Sequence, residues 1–311
     1  MPGCAEEHHQ SVLHPAGPAA ETIEWLWWLL FWVCAVVLVV VTVLTLWAIV
    51  AKPRARTGEP QLGNGFIVIS GIILPSVILV VLLIFSLQAN LRLRIPETQL
   101  TVRVIGHQFW WEIHYPDHQI ITANEIHIPV GVPVKLELRA ADVIHSFWVP
   151  HLHGKMDLLP EHTNFFWFQA DKAGVYRGQC AEFCGVQHAL MAFNVVAMEP
   201  LEFERWLEAQ KHPPPPPMDE VLQRGQRAFF VHGCNTCHAI AGTEADARIG
   251  PDLTRIGSRL TIGAGTRVNN YANLSGWVAN PQPIKPGNLM PPSFIPPEEF
   301  HALIEYLVSL R

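Results

Sequence analysis

The chain has little charge, and its basic residues form no tract. Of 311 residues, 15% are charged, with a formal net charge of −6, whereas typical soluble domains carry roughly 25%. The deficit is local, because residues 25–50 and 66–87 contain no Asp, Glu, Lys or Arg. A purely soluble enzyme is therefore excluded. Half of the residues are hydrophobic, which also excludes a disordered chain. The missing basic tract excludes a nucleic-acid binder.

Cysteine is also scarce, and two of the six cysteines have no evident chemistry. No apolar stretch precedes Cys4, so it is not a lipid-anchor candidate. Cys34 lies inside the first apolar run, where a thiol acts as a small apolar side chain. The remaining four form two close pairs, which are the candidates for metal or cofactor chemistry.

The two uncharged runs are long enough to cross a membrane. Residues 25–50 would exceed the roughly 30 Å hydrocarbon core at about 1.5 Å per helical residue. The run 66–87 contains Pro75, which predicts a kink near its middle. Two spans are too few to enclose a transport pathway, so the predicted hairpin 25–91 is an anchor in lipid.

The charges beside the spans predict an orientation. Lys52, Arg54 and Arg56 lie in the short loop between them, whereas residues 1–24 contain four Glu and no Lys or Arg. The positive-inside rule then places this loop in the cytoplasm. We expect a bacterial plasma-membrane protein whose tail, 1–24, and whose chain from about residue 92 onward lie on the outer side.

The sequence predicts two exported domains of different fold class, at 92–211 and 218–311. Short alternating segments such as Val102/Val104 and Ile126/Ile128 indicate an all-β Greek-key sandwich or barrel over about 100–200, followed by a helix near 200–210. Residues 218–311 have helical patterns and too few apolar residues for a thick core, so a bound group should help to fill it. Five prolines at 213–217 predict a stiff linker, 212–217, that holds the domains about 15 Å apart.

The first cysteine pair indicates copper. Cys180 and Cys184 are followed closely by His188 and Met191, and this soft set of thiolate, imidazole and thioether ligands favours copper over calcium, magnesium or manganese. His145 is the best candidate for a further ligand. Because a mononuclear blue-copper site needs one Cys, two Cys imply two coppers bridged by two sulfurs. A disulfide between the two cysteines is the alternative.

The second pair indicates covalently bound haem. In Cys234-Asn235-Thr236-Cys237-His238, two thiols can form thioethers to the haem vinyl groups, and the adjacent His can bind the iron. A zinc or redox site is less favoured, because no second Cys pair lies nearby. Met290 is the candidate sixth ligand, and His301 is its rival.

These motifs, preceded by Gly106-His107-Gln108-Phe109-Trp110-Trp111 and two spans, closely resemble subunit II of cytochrome c oxidase over nearly the whole chain. The resemblance implies a multidomain membrane protein with a two-helix hairpin, a cupredoxin domain and a dinuclear CuA centre. The centre's implied ligands are the bridging Cys180 and Cys184, His145, His188, the weak ligand Met191 and the backbone carbonyl of Glu182. The Glu182 side chain would also reach a magnesium or manganese ion shared with the catalytic subunit.

Residues 218–311 resemble a small all-α class I cytochrome c, with Gly250-Pro251-Asp252-Leu253 as its haem-packing loop. A fusion of this kind is typical of oxidases that carry their own cytochrome c. The cluster Phe109, Trp110 and Trp111 would be the electron-entry region. Phe109 departs from the family, which commonly has Trp there, as Glu161-His162 departs from a common Gly-Arg.

The predicted function is therefore an electron relay in a respiratory oxidase that reduces oxygen and pumps protons. Electrons would pass from a donor such as a cytochrome c or a quinol-oxidising complex, through haem c and copper, to subunit I, with subunit III as a further partner. A relay for a nitric oxide reductase and a non-enzymatic copper and haem carrier are the alternatives. A quinol oxidase is disfavoured because all the copper ligands are present.

Overall fold

The structure is a computed structural model that describes residues 10–51 and 63–311. Their contacts form two compact units, Ala19–Arg94 and a larger one that combines 10–18 with Ile95–Arg311. Cys4, His8, His9, Lys52, Arg54 and Arg56 lie outside the described residues.

The smaller unit contains two helices that are long and apolar enough to cross a membrane. Helix α1, Pro18–Val50, begins ahead of the predicted start at Trp25. The second span comprises α2, Asn64–Val68, a π-helical turn, Ile69–Ile73, and α3, Leu74–Arg92. The π turn ends two residues before Pro75, which has no N–H for a backbone hydrogen bond and whose ring crowds the preceding turn. The structure thus shows a change of helix type beside Pro75, and the kink itself stays a prediction.

The larger unit begins with a β-sandwich, as the alternation predicts. Two five-stranded sheets have the orders β3-β2-β1-β5-β8 and β4-β10-β9-β6-β7. Strand β1 runs parallel to β5, and β4 runs parallel to β10, so connections cross between the sheets as in a cupredoxin-like fold. The strands are β1 Leu100–His107, β2 Trp110–Tyr115, β3 Ile120–Ala123, β4 Glu125–Pro129, β5 Val134–Ala140, β6 His145–Trp148, β7 Lys155–Leu158, β8 Asn164–Phe168, β9 Gly174–Cys180 and β10 Ala192–Met198.

Alternate residues of these strands fill the space between the sheets. Val102, Val104, Ile126 and Ile128 are fully buried, as their spacing predicts. Rings close the core at the end where β6, β9 and β10 meet, and Phe147 stacks on Phe193 with ring centroids 4.6 Å apart. This rigid end of the sandwich carries the candidate copper ligands.

The helical part follows α4, Pro200–Lys211, and contains α5 Glu220–Val231, α6 Tyr271–Ala279 and α7 Pro297–Ser309. Helices α5 and α7 cross closely because Gly225 has no side chain: a Cβ there would lie 2.0 Å from the Ala302 carbonyl oxygen. A two-stranded hairpin, β11 Thr261–Ile262 and β12 Arg267–Val268, was not predicted. Its strands are too short to show a period in sequence.

The expectation that the linker keeps the two domains apart is wrong. The Ala192 N–H donates to the Ala264 carbonyl at 3.0 Å, and the Leu260 N–H donates to Glu125 Oε1 at 2.6 Å, so the β-sandwich and the helical part are directly bonded. Arg255 also donates to the carbonyl of His212, at the start of the linker. A stiff proline segment fixes a path length, but it does not prevent the chain beyond it from folding back.

Candidate copper and haem sites

Strand register brings the candidate copper ligands together. His145 is the first residue of β6, and Cys180 is the last residue of β9, which pairs with β6. The loop from β9 to β10 supplies Cys184, then His188 in a short 3-10 turn, and then Met191 immediately before β10. The residues predicted from their types and spacing therefore lie at one end of the sandwich.

The side chains converge within metal-binding range. The Cys180 and Cys184 sulfurs are 3.8 Å apart, which excludes the disulfide alternative for this structure, because an S–S bond is about 2.05 Å long. Two thiolates at about 2.3 Å from one tetrahedral metal ion would lie about 3.8 Å apart. The imidazole Nδ1 of His145 is 3.9 Å from Cys180 Sγ, that of His188 is 3.7 Å from Cys184 Sγ, and Met191 Sδ is 3.8 Å from Cys184 Sγ.

The donor set fits copper on its own chemistry. His145, Cys180 and Cys184 are buried, and their ligand atoms lie within 4.8 Å of one another. The contact with Cys184 lowers the pKa of Cys180, so the cluster already favours one thiolate. The carbonyl oxygen of Glu182 is 3.1 Å from Cys180 Sγ, where a backbone ligand is expected. Buried soft ligands of this kind suit copper.

Asp142 orients His145, and sequence reasoning missed it. Asp142 Oδ1 accepts a hydrogen bond from His145 Nε2 at 2.8 Å, which leaves Nδ1 for the metal. Burial opposes ionisation of this carboxyl, but the hydrogen bonds from His145 and from the Gln108 and Val143 N–H groups keep its pKa below the usual value. The only available signal was an acid three residues before a ligand.

Two further contacts hold the site from β1 and its turn. A Cβ on Gly106 would lie 2.8 Å from His145 Cδ2, so the imidazole occupies space that only glycine leaves open. Gln108 Nε2 donates to the Cys184 carbonyl at 2.6 Å. The Gly106-His107-Gln108 motif therefore shapes the copper loop, which explains its association with the copper ligands.

The aromatic cluster is divided among three environments. Trp111 is fully buried, with its ring 6.0 Å from that of His145, and Phe109 is buried beside the copper loop. Trp110 is half-buried and stacks on His107 at 4.5 Å. Burial of Glu112 raises the pKa of its carboxyl group, but hydrogen bonds from His107 and His114 outweigh that effect. The pKa of Glu112 is therefore lowered to about 2. The cluster thus links the protein surface at Trp110 to the copper ligands, and its use in electron entry stays a prediction.

The second cysteine pair lies in a short turn beside His238, and both thiols are free. Cys234 opens a short 3-10 turn after α5, and Cys234 and Cys237 are unpaired and half-buried. His238 Nδ1 is 2.7 Å from the Pro251 carbonyl, so Nδ1–H donates and Nε2 is available to iron. A Cβ on Gly250 would lie 2.6 Å from His238 Cε1. The segment 250–251 therefore packs on this imidazole, as the family's haem-packing loop should.

Exposed apolar side chains flank the candidate haem ligand Met290 in the sequence and lie on the loop before His238's partner Pro251. Ile249 is 68% exposed, Leu289 79% and Phe294 94%, and they are among several exposed apolar side chains of this domain. Met290 is half-buried and lies in the sequence between Leu289 and Phe294. Its backbone carbonyl accepts a hydrogen bond from Gln282 Nε2 at 3.0 Å.

Three further histidines make contacts outside the candidate metal ligands. His301 is exposed, and its Nδ1 is 2.6 Å from the Tyr271 hydroxyl, which favours Met290 as the sixth ligand. His153 packs on Phe166 with ring centroids 4.2 Å apart. His14 lies 2.8 Å from Ser11 Oγ. Nothing in the structure explains the exposed pair Glu161-His162.

Two protein families match separate parts of the chain. Residues 119–198 match the family described as cytochrome c oxidase subunit II, periplasmic domain, and residues 222–311 match cytochrome c. The chain is also similar, over 38% of its length, to 96% of a solved periplasmic domain of subunit II of cytochrome oxidase from Bradyrhizobium japonicum, at 33% identity and a TM-score of 0.37.

Two similar proteins extend over the whole chain. Cytochrome c oxidase subunit 2 of Alkalihalophilus pseudofirmus is 36% identical, and that of Bacillus subtilis is 34% identical. Each alignment covers 100% of this chain and 94% of the relative. The chain therefore belongs to the cytochrome c oxidase subunit II family, in the form that carries a cytochrome c domain after the cupredoxin domain.

Proposed function

We propose that the chain is the electron-receiving subunit of a respiratory cytochrome c oxidase that reduces oxygen to water and pumps protons. In this proposal it relays electrons from an external donor, through covalent haem c and dinuclear CuA, to the catalytic subunit. The observation that carries the proposal is the convergence of the Cys180 and Cys184 sulfurs, 3.8 Å apart, with two imidazoles and a thioether. One-electron transfer is the chemistry that copper and haem supply when bound.

The protein's own contribution at the copper site is rigidity. Cys180 and Cys184 would bridge the two ions, His145 and His188 would each bind one, Met191 would be a weak ligand, and the Glu182 carbonyl would complete the set. His145 and Cys180 lie on paired strands, and Asp142 fixes the imidazole. A site built on strands with supporting hydrogen bonds changes little between oxidation states, which suits a relay.

At the haem site, Cys234 and Cys237 would form the thioethers, with His238 and Met290 as axial ligands. The Pro251 carbonyl holds His238 in one orientation. A thioether ligand raises the reduction potential, as a carrier that feeds a high-potential oxidase needs. The His238 hydrogen bond and the exposed apolar surface support this assignment.

Two apolar helices support membrane attachment, and the subunit II family supports a complex with the catalytic subunit I. We propose the bacterial plasma membrane, with both exported domains on the outer side, and subunit III as a further partner. The donor would be a cytochrome c or a quinol-oxidising complex. The half-buried Glu182 side chain would contribute to a magnesium or manganese site shared with subunit I.

Optical and EPR spectroscopy on the purified complex tests the proposal. We expect a covalent haem c band, a valence-delocalised copper pair and the haems of an oxygen-reducing partner together. Cys184→Ser should remove the copper-pair signal and keep haem c, whereas Cys237→Ser should alter haem c and keep the copper pair. A single loosely held copper would contradict the relay and favour a carrier, and a partner that reduces nitric oxide but not oxygen would favour the alternative reductase.

A further inference from the structure

We propose that Lys285 is a positioning residue that locks the haem-binding domain onto the copper loop, so that the two redox sites keep one relative geometry. The proposal rests on the proposed relay function. Lys285 lies between α6 and α7, five residues before Met290. It is one of the few charged side chains inside the larger unit, at 2% exposure.

The ammonium group of Lys285 joins the two domains. Its Nζ donates to the carbonyl oxygen of Phe109 at 2.7 Å and to that of Gly263 at 2.9 Å. Phe109 belongs to the β1–β2 turn of the cupredoxin domain, and Gly263 belongs to the β11–β12 turn of the haem-binding domain. One side chain therefore bonds both.

Burying this cation is costly, and the described residues offer it no carboxylate partner. Lysine is almost never fully buried unless it is paired. Burial lowers the pKa of Lys285 to about 7, with the opposing influence coming from Cys184. In some proteins a polar or charged group that is buried at a cost in stability specifies one geometry. Here the geometry in question is the docking of the two domains.

The segment that carries Lys285 also packs on the copper loop. Gln187, between Cys184 and His188, donates its side-chain amide to the Pro286 carbonyl. A Cβ on Gly287 would lie 3.0 Å from Val186 Cγ2. The chain that leads to the proposed haem ligand Met290 thus touches the chain that supplies the copper ligands.

The Lys285 contact continues to the copper ligands through Phe109. A Cβ on Gly185 would lie 3.1 Å from the Phe109 ring, and the neighbouring Gln108 donates to the Cys184 carbonyl at 2.6 Å. Lys285 therefore fixes the turn that itself fixes the copper loop. Phe109, where the family commonly has Trp, is thus the residue whose backbone carbonyl accepts the hydrogen bond from Lys285.

Contacts away from Lys285 make the interface broad enough to survive its loss. Glu125 Oε1 accepts from the Leu260 N–H at 2.6 Å, and Arg259 Nη2 lies 3.4 Å from Thr122 Oγ1. Ala192 bonds to Ala264 beside Met191. Removing Lys285 should therefore loosen the docked geometry without separating or unfolding the domains.

The test is Lys285→Met in the complete oxidase complex, with Lys172→Met, an exposed lysine, as the matched control. Methionine is unbranched and only one atom shorter than lysine, and it removes both hydrogen bonds. We expect the haem c and copper-pair spectra to be retained. Haem-to-copper transfer should slow roughly tenfold, because the docked geometry would be held less firmly. The variant loses charge-assisted hydrogen bonds but no longer buries a cation, so the net loss is about that of one such bond. Transfer from copper to the catalytic subunit should keep its rate, which a general loss of structure would not allow.

A distance measurement by pulsed EPR, between spin labels on the two domains, supplies a readout independent of turnover. The Lys285→Met variant should broaden the distance distribution, and Lys172→Met should not. If Lys285→Met lost haem, Lys285→Gln, which keeps one donor group, would take its place with an intermediate effect expected. Wild-type rates and an unchanged distance distribution in a fully loaded variant would overturn the role of Lys285. Absence of haem-to-copper transfer in the wild type would instead overturn the relay itself.

Discussion

The copper ligands show how far individual residues can be assigned from sequence. Cys180, Cys184, His188 and Met191 could be proposed as ligands because soft donors at close spacing have few other uses. The structure brings their side chains and that of His145 into contacts of 3.9 Å or less with the cysteine sulfurs. Asp142 and Gly106 could not be predicted, because their roles depend on which atom of His145 faces them. Supporting residues are defined by geometry, and spacing alone does not reveal it.

At this scale, Gly106→Ala should disturb the copper site without unfolding the sandwich. The added methyl group would lie 2.8 Å from His145 Cδ2, so the imidazole must move. We expect a shifted copper-pair spectrum and weaker copper retention during dialysis against a chelator. Gly131→Ala is unsuitable as a control because Gly131 has a positive φ, so Gly174→Ala, whose new methyl group would meet only the Tyr176 ring at 3.8 Å, serves instead. Identical spectra for the wild type and Gly106→Ala would contradict the proposed crowding.

A second residue-scale prediction concerns pH. Burial lowers the pKa of His153 to about 4, whereas an unfolded histidine titrates near 6.5. The unfolded chain therefore binds the extra proton first, and stability is complete above pH 6.5 and falls as the pH drops towards 4. The loss should approach about 3 kcal/mol.

Thermal unfolding of the full chain, followed by near-ultraviolet circular dichroism between pH 7.5 and 4.5, measures this effect. His153→Leu should reduce the pH slope, and His162→Leu, at an exposed site, should leave it unchanged. An equal slope in the wild type and His153→Leu would show that His153 is not the responsible group.

Among the elements, those with a clear period were predicted best. The alternation at Val102/Val104 and Ile126/Ile128 identified inner faces that the structure confirms as fully buried. The hairpin β11–β12 escaped prediction because each strand has two residues. The prediction that the proline linker keeps the two domains apart was wrong, because a proline run does not reveal that two domain surfaces are complementary.

The crossing of α5 and α7 gives the prediction for this scale. A side chain at Gly225 would lie 2.0 Å from the Ala302 carbonyl, so Gly225→Val must push the helices apart. Overpacking of this kind costs about 1–3 kcal/mol. We expect reduced covalent haem incorporation on expression, measured by haem staining, with a normal copper-pair spectrum. Arg224→Ala, on the exposed side of α5, should incorporate haem normally, and full incorporation by Gly225→Val would contradict the close crossing.

At the scale of the whole molecule, the linker and the interface act together. Five prolines at 213–217 tether the haem-binding domain, and hydrogen bonds such as those of Lys285 and Glu125 hold it against the cupredoxin domain. A short tether keeps a module at an effective concentration of order millimolar, so the contacts themselves can be weak. The tether and the interface therefore both favour the one docked arrangement.

Cleavage at a protease site introduced into 213–217 should therefore slow haem-to-copper transfer and make it depend on concentration and salt. Stopped-flow single-turnover kinetics on the cut and uncut complex, at nanomolar and at micromolar protein, provide the comparison. Uncut complex carrying the same introduced site is the control. Unchanged kinetics of the cut complex at nanomolar protein would show that the tether has no part in docking.

The central claim is that one chain passes electrons from its own haem to its own copper pair and on to an oxygen-reducing partner. The most direct measurement is photoreduction of haem c in the intact complex, with the haem c, copper-pair and partner-haem bands recorded in time. We predict that haem c reoxidises as the copper pair is reduced, before the partner haem, at a rate independent of complex concentration. Reduction of the partner haem without prior reduction of the copper pair, or a rate proportional to concentration, would contradict the account.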